Sequence, residues 1–325
     1  MRTLALTAFV VLASLSPLQA YSHFSVNATG ARLRWEPAHA RWFATERGVP
    51  GISPSAFQST LARAFETWEA VPTAAISFEF GGFTSAEPFE DDDLSVLGFQ
   101  HHPEMERVLG ATTFVIDILG DEIVEADIFF NSAFAWSTAA AGDPSAFDLE
   151  SVAVHEVGHL LGLGHSALGE TEVQDGGRRV LASGAVMFPI ALGRGSIADR
   201  ELQPDDIAGV SDLYPDAGFR ASTGAVRGRV RRGGRGVPGA HVVAFNPATR
   251  RLIGAFAMGE GGEFQIAGLS PGAHVIRVEP LDDADVESFF SRTVDVDFLV
   301  TYHPRLFVAP AGGVGQRIDV DVRPK

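Results

Sequence analysis

The chain has 325 residues, a length that fits about two domains. Its residues are 46% apolar and 20% charged, enough for a buried core, and the formal net charge of -16 disfavours nucleic acid or an anionic membrane as the partner of the whole chain. The sequence contains no cysteine, which excludes disulfides, thiol catalysis and thiolate metal sites.

The opening stretch, MRTLALTAFVVLASLSPLQAYS, joins Arg2 to an apolar run from Leu4 to Leu15 and a small-residue exit at Ala20. That pattern reads as a secretory signal peptide over 1–20, too short and wrongly flanked for a spanning helix. No later stretch is long enough to span a bilayer. The expected location is extracellular, or periplasmic in a Gram-negative bacterium. Asn27-Ala28-Thr29 is a glycosylation sequon that matters only in a eukaryotic host.

ARLRWEP predicts a first strand. In ISPSAFQSTLARAFETWEAV, Ser53 can cap and Pro54 suits a first helical turn. Phe57, Leu61, Ala64, Phe65 and Trp68 then recur at helical spacing, which predicts an amphipathic helix. AISFEF, ATTFVIDI and EIVEADIFFN read as strands, the last two joined by a turn around Gly120. FDLESVAVHEVGHLLGL predicts a central helix capped by Asp148, with Glu150 near the positive end of its dipole. The glycine-rich stretch that follows, to about Ile190, reads as irregular. LQPDDIAGVSDLYP predicts a short closing helix between Pro204 and Pro215.

The texture changes near Asp216. Short alternating runs with turn signals, among them GAHVVAFN, GEFQIAG and GAHVIRVEP, predict a small all-β sandwich over 225–325. Residues 217–224 are the expected linker, and 21–216 the first folded domain. RGRVRRGGRG reads as a strand with Arg227, Arg229 and Arg231 outward. EPFEDDDLS reads as a solvated loop, and structural calcium is the alternative for its clustered acids. His101 and His102 read as surface residues.

VHEVGHLLGLGH, at 154–165, carries the chemistry. Residues four apart on a helix are offset by about 40° and about 6 Å of rise, so His155 and His159 point the same way. Glu156 is near enough to reach a metal-bound water without ligating the metal. Gly162 permits a backbone turn that swings His165 back as a third ligand. Three neutral nitrogens with an open fourth position suit catalytic zinc. A buried helix with satisfied core histidines is the plain alternative, and the extended H-E-x-x-H-x-x-G-x-x-H pattern argues against it.

HEVGHLLGLGH resembles the zinc signature of metzincin metallopeptidases, and SGAVMFP resembles their Met-turn. The HS after the signature, LQPDDIAGVSDLYP, and ADIFFN followed by Trp136 are similar to the matrixin, or matrix-metalloprotease-like, branch. The resemblance implies an α+β metzincin-type domain with a mixed twisted sheet, two long helices and a closing helix. It implies that His155, His159 and His165 bind one catalytic Zn2+. Glu156 is then the general base that takes a proton from the zinc-bound water and passes it to the leaving amine. Met187 shapes the floor of the site. Pro189, Ile190 and Ala191 match one wall of the primed-side pocket. A protein or peptide substrate would lie along an edge strand near Val108 to Phe114 by β-augmentation. Asp205 and Asp206 read either as helix N-terminal acids or, for Asp206, as the family's buried brace of the Met-turn.

Departures from the family shape the expectations. Phe129 stands where animal matrixins place a histidine of a second, structural zinc, so one zinc is expected. A cysteine switch cannot exist, and too few residues separate Ala20 from the first strand for an ordinary folded pro-domain. The later pattern VRGRV…GVPGAHVVAFN…GEFQIAGLSPGAHVIRV resembles carboxypeptidase regulatory-like modules, prealbumin-like β-sandwiches whose fold does not indicate a partner. The expected function is a secreted zinc-dependent endopeptidase. The alternative is an inactive metzincin-fold binding protein whose sandwich carries recognition.

Overall fold

The computed structural model describes residues 23–24, 32–174, 177–281, 286–290 and 294–325. The expected signal peptide and the sequon lie outside the described residues. Strands β1 (Arg34–Trp35) and β2 (His39–Thr45) lead into helix α1 (Pro54–Glu69). The Ser53 side chain caps α1 by accepting from Ala56 N, and the helix buries Phe57, Leu61, Ala64, Phe65 and Trp68.

Strands β3 (Ser77–Thr84), β4 (Ser95–Gln100), β5 (Gly110–Asp117) and β6 (Glu122–Asn131) complete the first sheet. Its order is β1-β6-β4-β2-β3, with β5 also paired to β6. The β5–β6 pair is antiparallel, Gly110 opposite Phe130, and the other pairs are parallel. Strand β4 was not anticipated. It is buried along nearly its whole length, so SVLGFQ lacks the alternation that betrays a half-buried strand.

Two short strands, β7 (Trp136–Ser137) and β8 (Phe147–Asp148), pair just ahead of helix α2 (Leu149–Leu160). Every α2 residue except His155 is buried. Asp148 caps the helix through Ser151 N at 2.9 Å, and Arg200 grips the same carboxylate with two nitrogens, at 2.9 and 2.5 Å.

The stretch after α2 departs from the irregular reading. It carries an antiparallel hairpin of β9 (Gly169–Gln174) and β10 (Gly177–Ser183). Asp175-Gly176-Gly177 in the sequence is a hairpin-turn signal between β-capable runs, and it outweighs the surrounding glycines. Helix α3 (Pro204–Leu213) follows, then one turn of helix, α4 (Phe219–Ser222), with Phe219 buried.

The remaining chain forms β11 (Gly224–Arg232), β12 (Arg235–Gly236), β13 (His241–Asn246), β14 (Arg251–Phe256), β15 (Glu263–Leu269) and β16 (Gly272–Glu279). After these come the short helix α5 (Val286–Phe289) and strands β17 (Thr301–Tyr302), β18 (Phe307–Ala309) and β19 (Ile318–Asp321). One sheet runs β12-β11-β15 with β19 on β11; the other runs β14-β13-β16-β17 with β18 on β16. Val226, Val230, Phe264 and Ile266 from the first share one core with Val242, Ala244, Ile276 and Val278 from the second. On β11, Arg227 is exposed while its neighbours Val226 and Gly228 are buried.

The two halves of the chain touch. Leu168 and Ala185 cluster with Val243 and Leu252. Gly254 permits this approach, because a Cβ there would lie 2.6 Å from His241 Nε2 and 3.3 Å from Leu168 Cγ. Among the described residues no helix is long and apolar enough to cross a membrane.

Candidate metal centre

Three aromatic side chains fix helix α2 and its exit. Trp68 Nε1 donates to Val154 O at 2.8 Å, Trp35 Nε1 to Leu160 O at 2.9 Å, and the Tyr214 hydroxyl to Leu161 O at 2.7 Å. The last two satisfy carbonyls that a helix end leaves without partners. The chain then turns at Gly162, whose φ is +99° and where a Cβ would meet Leu33 O at 2.3 Å. Both facts demand glycine.

That turn brings three imidazoles together. His155 Nδ1 donates to Val186 O, His159 Nδ1 to Leu163 O and His165 Nδ1 to Ser288 O, each at 2.8 Å. A carbonyl can only accept, so each ring carries its proton on Nδ1 and leaves an Nε2 lone pair. The ligand-capable atoms of the three lie within 4.8 Å of one another, and the Nε2 atoms of His159 and His165 are 3.2 Å apart. Two proton-free nitrogens at that distance repel unless a cation lies between them. Tetrahedral zinc, with Zn–N of about 2.0–2.1 Å, sets its nitrogens about 3.3–3.4 Å apart. The donor set therefore fits zinc.

Electrostatics favour the ligand forms. Burial, then the neighbouring His165, pushes His155 down to about 4. Burial also holds His159 well below its ordinary value and lowers His165. All three stay neutral, as a ligand must be.

Glu156 is 5% exposed. Its Oε2 accepts from the Thr112 hydroxyl at 2.8 Å, which ties it to β5. Burial pushes its carboxyl up to about 7. Its Oε1 faces Gly110, where a Cβ would lie 3.3 Å away. Thr112 carries no sequence signal of its own; only the packing of β5 across α2 reveals it. Asn131 is another residue that sequence reasoning missed. It is fully buried, accepts from His102 N and donates to His102 O and Val108 O, so it holds the approach to β5.

Met187 is buried, and its Sδ would lie 2.2 Å from a Cβ at Gly158. Gly158 thus leaves beside α2 the space that Met187 and Trp68 fill. Asp206 accepts from Val186 N at 2.8 Å, Gln203 N at 2.8 Å and Met187 N at 3.1 Å. Since Val186 O in turn holds His155, one carboxylate steadies both the Val186-Met187 turn and the His155 ring. Asp205 points elsewhere, accepting from the Ser166 hydroxyl at 2.6 Å and from Gly254 N at 2.8 Å. Burial raises Asp206 to about 6, and burial with the adjacent Asp206 raises Asp205 to about 7.

Pro189 and Ile190 are half-buried and Ala191 is exposed, directly after the buried run Ala185 to Phe188. Strand β5 pairs only with β6 among the described residues, leaving its other edge open. Phe129 is buried against the rings of Phe89 and His102. Asp127 of β6 ties down the acidic stretch at either end, accepting from Phe89 N within it at 2.5 Å and from Val96 N just after it at 2.7 Å. Among the described residues no other three His, Asp or Glu side chains converge as His155, His159 and His165 do.

A mixed sheet flanked by α1 and α2, with three histidines gathered at the exit of α2, is the architecture of a metzincin-type α+β domain. The Matrixin family model matches residues 34–215, and the chain belongs to that family. It is 29% identical over 212 residues to Metalloendoproteinase 4-MMP of Arabidopsis thaliana, covering 57% of this chain and 51% of that protein. It is 34% identical over 171 residues to Metalloendoproteinase 1 of Glycine max, covering 49% and 45%. Over 69 residues it is 51% identical to Metalloendoproteinase 5-MMP of Arabidopsis thaliana, covering 21% and 14%. The chain thus spans about half or less of the length of the curated relatives it matches. A solved structure, the Bacillus anthracis TIE protein, aligns with a TM-score of 0.23 at 10% identity over 32% of this chain and 17% of that one, too low to bear on the fold. The matrixin family is zinc-dependent, and the histidine triad is consistent with its zinc site.

Proposed function

We propose that this protein is an exported zinc-dependent endopeptidase, with His155, His159 and His165 as ligands of a single catalytic zinc and Glu156 as the general base. The tautomer set carries the reading. Three Nδ1–H groups committed to main-chain carbonyls leave three Nε2 lone pairs converging on one point. Bound zinc would polarise the scissile carbonyl and acidify the attacking water. Glu156 Oε1 takes the proton from that water and returns it to the leaving nitrogen, while Oε2 stays on Thr112. Met187 forms the floor, and Asp206 keeps the Met-turn and His155 in register.

A protein or peptide substrate lies extended along the open edge of β5 and adds a strand to it. Pro189, Ile190 and Ala191 form one wall of the pocket beyond the scissile bond. The enclosure of Phe129 by Phe89 and His102 supports a single zinc. Residues 1–20 serve as the export signal, 21–216 as the peptidase, 217–224 as the junction and 225–325 as a prealbumin-like sandwich. The shared core of the two later sheets supports that last assignment.

The test is cleavage of casein by residues 21–325 with zinc, with a chelator, and with Glu156→Ala. Chelator-sensitive cleavage that disappears in the variant is expected. Equal cleavage by the variant would refute the mechanism.

A further inference from the structure

His165 differs from the other two histidines in what holds it. Val186 and Leu163, which accept from His155 and His159, lie within the segment matched by the family model. Ser288, whose carbonyl accepts from His165, lies 123 residues further along, in α5. That carbonyl has its own support. The Phe289 ring sits 6.3 Å from the His165 ring and 5.5 Å from Phe256 of β14, and Phe290 sits 5.1 Å from Phe256. Ala167, two residues after His165, packs against the same apolar cluster.

A second attachment reaches the same turn. Ser166 and Gly254 both donate to Asp205, which joins the residue after His165 to β14. A third is the cluster of Leu168 and Ala185 with Val243 and Leu252. All three attachments fall on the turn that delivers His165 or on the start of the Met-turn. An imidazole on a turn has more freedom than one on a buried helix, so an outside acceptor for its Nδ1 proton does more to fix its plane.

We propose that the C-terminal half is a working part of the metal centre: the Ser288 carbonyl, seated by Phe289, orients His165, and zinc is held at full strength only when α5 is docked. Ser288 is a positioning residue acting through its main chain. The proposal rests on the zinc reading above.

The test uses the full chain and zinc competition with a chromogenic chelator. Phe289→Pro disfavours the helical backbone at residue 288 and swings its carbonyl away from His165. Phe289→Leu keeps both the backbone and an apolar contact. Loss of such an outer partner weakens metal binding by about 10- to 100-fold, which is the effect expected for Phe289→Pro. Phe289→Leu is expected to bind as the unaltered chain does. The absorption spectrum of the cobalt-loaded protein should change in the proline variant and not in the leucine one. Gly254→Leu forces β14 away from Leu168 and is expected to weaken zinc in the same direction, which keeps the test decisive should Phe289→Pro not fold. Folded variants at both positions that hold zinc as tightly as the unaltered chain overturn the proposal. An unaltered chain that binds no zinc, or a His165→Ala chain that binds it equally well, overturns the zinc reading itself, so the two failures are distinct.

Discussion

His155 and His159 sit on a helix buried on almost every face, while His165 sits on a turn that leans on a second pair of sheets. The helix pair needs little beyond the matrixin domain. Its ring protons go to the carbonyls of Val186 and Leu163, and Trp35, Trp68 and Tyr214 lock the helix itself. The turn-borne histidine depends on groups from Asp205 to Ser288. The proposed metal site thus rests on two degrees of local support, and substitutions on the two sides should fail in different ways.

The largest effect is expected at the helix. Glu156→Ala should lower peptide hydrolysis by about 100- to 10,000-fold while leaving bound zinc in place, because the proposed mechanism loses its general base and keeps its three ligands. Metal content and turnover measured on one preparation decide this, and zinc lost together with activity would assign Glu156 a ligand role instead. Next comes the ion pair that anchors the helix start. Arg200→Leu leaves the Asp148 carboxylate buried without its guanidinium and should cost about 3–5 kcal/mol in urea unfolding. An unchanged midpoint would mean that Asp148 needs only Ser151. Gly158→Ala should cost about 1–3 kcal/mol, since its methyl meets Met187 Sδ first and the Trp68 ring next. Repair by a simultaneous Met187→Ala would localise that cost to the pair, and no repair would place it elsewhere.

The same contrast governs what the sequence disclosed. Helices α1, α2 and α3 were legible because their caps and apolar spacing are local, and the histidine triad because its geometry follows from helical pitch and one glycine. Strand β2 alternates in burial from His39 to Ala44 and lay within reach of the same reasoning, yet went unread. Strand β4 was hidden by burial on both faces, which erases period two. Thr112, Asn131 and Ser288 share a different obscurity. Each acts on a partner far away in the chain, and Ser288 acts through its backbone, so its residue type carries no trace of the role.

The smallest effect concerns pH and falls on the sheet, away from both sides of the histidine cluster. Burial, followed for Glu125 by the neighbouring Asp127, holds Glu125 up at about 7; burial likewise holds Asp127 at about 7. The Glu125 Oε2 is buried without a hydrogen-bond partner, whereas both Asp127 oxygens accept main-chain N–H groups. From about pH 4 to about pH 7 the folded chain keeps protons that these groups release when unfolded. Stability should therefore fall as pH rises through that window. Asp205 and Asp206 add to the slope in the same direction, so the unaltered chain alone cannot isolate Glu125. Glu125→Gln can: it cannot ionise, and it leaves the Asp127 acceptors in place. Its urea midpoint should exceed that of the unaltered chain at pH 8, with the gain shrinking to nothing near pH 4. A gain of equal size at both pH values would trace the effect to packing and not to charge. Zinc retention should not change with this substitution, which would set the sheet apart from the turn that carries His165.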